Sequence, residues 1–417
     1  MNQPLGAKAV AVRPGDFQVM TLVSFAHATS HFFHLVIPSL FPWLMADFGL
    51  SFTRAGALTT AFFVVSGVGQ AAAGFAVDRW GAQKVLSAGL ALLALSALTL
   101  ALAHGYPALL AAALLAGAGN AVFHPADYTV LNHNVSPPRL GHAFSAHGVA
   151  GNVGWALAPI LMTGIAAAAG WRIAALAAGS IGLLALASVV LFRGTLAVPA
   201  SHHAVSDGAP RSSPVAFLRV GAVWMCFLFF FFSTMGLSAL QNFAPAVMNH
   251  VYGLPLTAAA SALTAYLLGG AAGIAAGGFL AARYEAHERV VAVLLITAAV
   301  MALGLATGTV PGVLVLPLMT LFGFFTGTAT PSRDLLVRRA AMDRFGKGSF
   351  GRIYGFVYSG LDAGLATAPV LLGPVMDRGM FPAVLYAVAL FQGFAVVAAL
   401  GVGQARMERA AAVAPRA

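Results

Sequence analysis

Three histidines, His27, His31 and His34, stand at i, i+4 and i+7 within an apolar stretch, so a helix there carries all three on one face. A neutral imidazole can hold a polar solute. A protonated one can pair with an anion or carry a proton, because imidazole titrates near neutral pH. No Cys, Asp or Glu joins that face, so no metal site is expected. Asn120, His124 and Asp127 repeat the same spacing further on, with His147 beyond them. Asp362, with Tyr358 and Tyr354 one and two turns before it, places a carboxylate deep in another apolar run. Such a group is costly to ionise and suits a site that takes up and releases a proton. Thr234, Ser238 and Gln241 share one helical face and can bind a polar solute.

The elements that hold these residues follow from composition. Of 417 residues, 60% are hydrophobic and only 8% charged, against about 25% charged in a soluble domain. Twelve long apolar runs rich in Ala, Leu, Gly and Phe lie between residues 17 and 403. Each reaches the roughly 20 residues that a membrane helix needs, and none shows the alternation of a membrane β-barrel. The expected fold is all-α: twelve transmembrane helices in two six-helix parallel pseudo-repeats around a central cavity. An ionisable side chain inside such a run is a functional candidate by default.

Residues 193–215, with Pro199-Ala-Ser-His-His and Pro210-Arg-Ser-Ser-Pro214, read as a polar linker between an N-terminal part, 1–192, and a C-terminal part, 216–417. Counted over alternate loops, 18 of the 22 Lys and Arg fall on one side. The positive-inside rule then predicts an inner (plasma) membrane protein with both termini and the linker in the cytoplasm. The net charge of +10 is scattered over these loops rather than gathered on one face, which argues against nucleic-acid binding. The single cysteine, Cys226, excludes an internal disulfide.

The two parts repeat each other. Gly74-Phe-Ala-Val-Asp-Arg-Trp80 aligns with Gly278-Phe-Leu-Ala-Ala-Arg-Tyr284 at an offset of 204, and Gly117 and Pro125 pair with Gly323 and Pro331 at 206. Gly141, Gly154 and Pro159 pair with Gly351, Gly364 and Pro369 at 210. Both parts start on the same side, so the repeats are parallel. The 206 offset also carries Asn120, His124 and Asp127 onto Thr326, Thr330 and Arg333. An acidic and a basic residue thereby stand at equivalent positions, and Asp127 and Arg333, with Asp334 beside the latter, are expected to form a gate.

At Gly74-x-x-x-Asp78-Arg79-x-Gly81-x-x-Lys84 the chain resembles the signature loop of the major facilitator superfamily. Gly148-x-x-Gly151-x-x-Gly154-x-x-x-x-Pro159 is similar to the Gly- and Pro-rich span of its proton antiporters. His31-Phe32-Phe33, Pro38, Pro42 and Phe123-His124-Pro125 resemble its fosmidomycin-resistance branch, from which the chain departs at His34-Leu35, where an acidic residue is expected. The resemblance implies alternating access around a central site.

The expected function is secondary active transport of a small polar, anion-leaning organic solute, coupled to protons. The rivals are drug efflux by proton antiport and a transporter-like receptor. No enzyme activity or cofactor is expected: there is no Gly-x-x-x-x-Gly-Lys-Ser/Thr nucleotide loop, and Cys226 has no partner that would activate it. A monomer in contact with lipid, substrate and protons is expected.

Overall fold

The computed structural model describes residues 15–198, 220–345 and 350–413; at 334, 337–345, 350–355, 358 and 405–413 only the backbone path is described. Every described element is a helix, and ten are long and apolar enough to cross a membrane. Before the linker come α1 (Asp16–His34), α2 (Val36–Ser39), α3 (Phe41–Phe48), α4 (Phe52–Trp80), α5 (Ala82–Ala101), α6 (Tyr106–Asn120), α7 (Phe123–Asn134), α8 (Leu140–Ala169) and α9 (Trp171–Leu191). The linker starts with one turn, α10 (Arg193–Leu196), and its stretch 199–215 lies outside the described residues. Beyond it come α11 (Gly221–Tyr252), α12 (Leu256–Arg283), α13 (His287–Ala306), α14 (Gly312–Phe345), α15 (Phe350–Asp377) and α16 (Pro382–Val413).

Breaks in the helices follow local sequence. The first apolar run is one rod interrupted twice, at Leu35 and Leu40, ahead of Pro38 and Pro42, whose missing N–H groups cannot continue the hydrogen-bond ladder. It ends at Gly49 with φ +59°, and α11 ends at Gly253 with φ +65°. These two glycines occupy equivalent places in the repeat and stop their helices in the left-handed conformation that Gly adopts without strain. The run that holds His124 is likewise split, between α6 and α7, just before Pro125.

Packing recurs in the two parts of the chain. α1 lies on α8 as α11 lies on α15, α4 on α6 as α12 on α14, and α5 on α9 as α13 on α16. Across the divide, α4 meets α15 and α8 meets α12. The cross-contacts run from mid-helix to the end remote from the linker. Thr60 donates its hydroxyl to Ala366 O (2.7 Å), Thr264 to Ala156 O (2.9 Å), and the Asp377 carboxylate accepts from the start of α4.

A histidine-lined cavity as the candidate site

A cavity of about 330 Å³ opens between the two parts. α1, α4, α6, α7 and α8 form one wall; α11, α12, α13, α14 and α15 form the other. The first wall is built by close approach of α1 and α8. A Cβ on Gly154 would lie 2.1 Å from the backbone oxygen of Ala28, so only glycine lets the helices touch there. One turn earlier, a Cβ on Gly151 would meet His31 Nδ1 at 2.7 Å and His27 Nε2 at 2.9 Å. The glycine spacing of α8 therefore makes room for the imidazoles of α1.

All three α1 histidines line this cavity, and so do Asn120, His124 and His147. His34 is locked. Its Nε2 lies 3.0 Å from Asn120 Oδ1, an acceptor, and its Nδ1 accepts the Trp155 indole N–H at 3.1 Å. Those partners fix a neutral ring with the proton on Nε2. Asn120 is held in turn by its donation to Ser66 Oγ (2.8 Å) and by the Ser30 hydroxyl. His124 places Nδ1 2.9 Å from Gln70 Oε1, which leaves Nε2 as the lone-pair nitrogen of the neutral ring. His31 lies 4.3 Å, centroid to centroid, from both His27 and Trp155.

Asp127 does not face the cavity. It is 0% exposed and lies between α1, α7 and α8, with Oδ2 3.0 Å from His147 Nε2 and 3.4 Å from His27 Nδ1. The rings of His27 and His147 stack at 3.5 Å. The expected pair of Asp127 with Arg333 is not formed in this arrangement, because the carboxylate is turned inward onto its own helices. Arg333 instead lines the cavity with its guanidinium 4.6 Å over the Phe230 ring. The Asp334 side chain lies outside the described residues.

On the second wall Asp362 lines the cavity at the crossing with α4, where a Cβ on Gly67 would stand 3.1 Å from its Cβ. Among the described residues no hydrogen bond or ion pair holds its carboxylate; the Tyr358 side chain is outside them. Thr234 reaches the cavity but gives its hydroxyl to Phe230 O (2.8 Å) and Leu361 O (3.1 Å). Ser238 and Gln241, expected beside it, are buried off the cavity, and the Ser238 hydroxyl ties α11 to Leu365 O on α15 (2.9 Å). Thr234 and Ser238 both turn their hydroxyls toward α15 rather than into the cavity. Gln70, Trp155 and the grouping of His147 with His27 are the site features that the sequence reading missed. Gln70 is an isolated amide inside an apolar run, the one signal that singles it out.

The loop motif falls at the turn from α4 to α5. Gly81 has φ +89° and bonds its N–H to Val77 O at 2.8 Å, while Asp78, Arg79 and Lys84 are exposed around it and Gly74 lies about two turns back.

The sequence profile of the Major Facilitator Superfamily matches residues 21–341. The chain belongs to the major facilitator superfamily. It is thus a multi-pass membrane protein of a transporter superfamily, similar over most of its length to known members. It is 26% identical to the fosmidomycin resistance protein of Escherichia coli (strain K12) over 287 residues, 66% of this chain and 68% of that one. It is also 26% identical to the uncharacterized MFS-type transporter YfnC of Bacillus subtilis (strain 168) over 408 residues, 95% and 96% of the two chains. Among solved structures, a bacterial homolog of the human lysosomal transporter Spinster, in an inward-facing and occupied conformation, superposes with a TM-score of 0.73 at 15% identity, covering 94% and 98%. A mutant of the nucleoside transporter NupG gives 0.71 at 14% identity, covering 93% and 98%. At these identities the structural likeness establishes the fold.

Proposed function

We propose that this superfamily member is a proton-coupled secondary transporter of a small polar, anion-leaning organic solute, built from twelve spans in two six-helix repeats. The observation that carries this reading is the cavity itself, with Arg333 and Asp362 on one wall and a bank of histidines on the other. Arg333 supplies a fixed positive charge for an anionic substrate. Asp362 supplies a carboxylate that can alternate between charged and neutral forms as the cavity alternates between faces. The N-terminal and C-terminal parts rock about this centre.

In this reading the termini and linker are cytoplasmic, since most of the Lys and Arg lie on that side. The cavity, closed at the end remote from the linker, then faces inward. A reporter fused at residue 205 is expected to score cytoplasmic, and a periplasmic score would reverse the orientation.

A second reading, export of a toxic compound in exchange for protons, is favoured by the name of the Escherichia coli relative. Flux in proteoliposomes separates the two. Carboxylates, phosphonates and hydrophobic drugs are offered with and without a pH gradient. Accumulation of a polar acid driven by the gradient supports the first reading. Gradient-driven movement of hydrophobic drugs alone supports the second, and no flux of any class refutes both.

A further inference from the structure

Three buried groups converge on one point of the N-terminal wall. His27 Nδ1 and His147 Nε2 stand 3.4 and 3.0 Å from the same carboxylate oxygen, Asp127 Oδ2. We propose that His27, Asp127 and His147 form a binding site for a divalent transition-metal ion of the zinc, cobalt and nickel class. The proposal is independent of the organic substrate assigned above and needs no flux to be tested.

The distances suit an ion. With metal–nitrogen and metal–oxygen bonds of about 2.0–2.2 Å, the ligand atoms of a tetrahedral site lie about 3.3–3.5 Å apart. The 3.4 Å separation falls within that edge length; the 3.0 Å one is a hydrogen-bond distance, and an ion that takes the proton's place widens it by a few tenths of an ångström. The alternative, in which the carboxylate simply serves the histidines as a hydrogen-bond acceptor, leaves too much unmet. His27 Nδ1 makes no hydrogen bond despite its closeness to Oδ2, and Asp127 Oδ1 is buried with no partner at all. One proton shared with His147 satisfies neither atom. A metal ion takes the His27 lone pair and neutralises a carboxylate that is otherwise costly to bury.

Donor chemistry selects the ion. Two imidazoles and one carboxylate suit zinc, cobalt, nickel or copper, whereas magnesium and calcium prefer oxygen ligands. Three protein ligands leave one position of the tetrahedron open, as in sites where the ion must exchange a ligand. His27 and His147 both line the cavity, so the open position is reached from it. His31 and His124 stand next to this position with His27, their ring nitrogens within 4.8 Å of one another, and form a second imidazole set toward the cavity. Gln70 orients His124 through Nδ1, the arrangement in which a ligand histidine bonds an outer carbonyl oxygen while its other nitrogen faces the ion.

The test uses the full, tag-free chain in detergent, stripped with chelator and titrated with Co²⁺ and Zn²⁺. The expected result is one ion per chain, with the intense visible absorption of four-coordinate Co²⁺ and no competition from excess Mg²⁺. His27→Gln and His147→Gln, checked for folding by size exclusion, should each weaken binding at least tenfold, while His250→Gln, exposed at the far end of α11, should bind as the parent does. Should either variant fail to fold, His202→Gln with His203→Gln, placed in the linker, tests the location instead: an unchanged four-coordinate spectrum supports the proposal and its loss overturns it. Absent stoichiometric binding or a six-coordinate spectrum overturns the proposal. So does binding that survives both His27→Gln and His147→Gln, which would place the ion on other histidines such as His202 and His203.

Discussion

Asp377, the last residue of α15, caps Thr53 in the first turn of α4: its Oδ2 accepts the Thr53 N–H at 3.1 Å and the Thr53 hydroxyl, while Oδ1 accepts the N–H of Phe52. A carboxylate from one repeat thus satisfies the open N–H groups of a helix in the other, where the helix dipole also favours negative charge. If the two parts rock as proposed, the bond breaks when the end remote from the linker opens. Losing an N-terminal cap costs about 0.5–2 kcal/mol, and the lower end applies to a carboxylate this exposed. Asp377→Ala is therefore expected to shift the closed-to-open ratio at this end about two- to fivefold. Labelling of Ala366→Cys by a membrane-impermeant maleimide, in a Cys226→Ser background, reads that ratio. Unchanged labelling would remove Asp377 from the closure.

The same contact predicts a pH response. Burial pushes the Asp377 carboxyl up, but the bonds from the Thr53 side chain, the Thr53 and Phe52 N–H groups and Ser51 outweigh it and hold the group below its ordinary value. A lowered value means that the stabilisation is complete above the ordinary aspartate range, near 3.9, and is lost only as the pH falls through the lowered value. The contribution of Asp377 to the protection of Ala366→Cys, read as the difference between the parent and Asp377→Asn, should accordingly be flat between pH 5 and 8. A transition in that interval that Asp377→Asn abolishes would show that the sign or the group is wrong.

Glycine contacts separate closure from folding. A Cβ on Gly373 would meet Thr53 Cα, across the divide, at 2.7 Å, whereas one on Gly323 would meet Tyr266 O, inside the C-terminal part, at 1.8 Å. Backbone atoms cannot yield as a flexible side chain does, so each extra methyl forces helices apart at a cost of about 1–3 kcal/mol or more. Gly373→Ala should raise maleimide labelling of Ala366→Cys while leaving the thermal midpoint in detergent nearly unchanged. Gly323→Ala should lower the midpoint or the yield instead. Identical behaviour of the two variants would mean that α4 and α15 do not part as a unit.

Much of this architecture is legible in the chain because the bilayer forces long helices, and twelve apolar runs with a polar linker leave few alternatives. The offset between Gly49 and Gly253 is visible too, since both stop a helix at matching places. The direction in which a helix turns its polar residues is not. A helix that is apolar all round gives no amphipathic signal, so Ser238 looks identical to a cavity residue until α15 is seen to accept its hydroxyl, and Gln241 until it is seen buried off the cavity. That the Asp127 carboxylate turns onto its own helices is hidden for the same reason. Only the glycine-mediated contact of α8 with α1 brings His147 and His27 to it, and that contact joins residues 120 positions apart.

The last prediction concerns coupling through Asp362. Its carboxylate lines the cavity with no partner among the described side chains, at a depth where the charged form is poorly solvated. A group so placed can exchange a proton with whichever side the cavity faces, and the charge then biases which face is open. Asp362→Asn keeps the shape of the protonated side chain but never ionises. The variant should therefore retain exchange of labelled for unlabelled solute, within a few-fold of the parent, since exchange needs no net proton movement. It should lose accumulation against a gradient, because the empty carrier no longer returns with a proton whose free energy, 1.36 kcal/mol per unit of pH difference, drives the uphill step. Arg333→Gln should behave in the opposite way to a pure coupling defect, since the loss of a fixed charge for the solute weakens exchange and accumulation alike. Paired measurements in proteoliposomes, counterflow without a pH gradient and uptake with one, distinguish the two. Uphill uptake by Asp362→Asn at the parental ratio would take this carboxylate out of the proton path and move the search to His31 and His124 on the opposite wall.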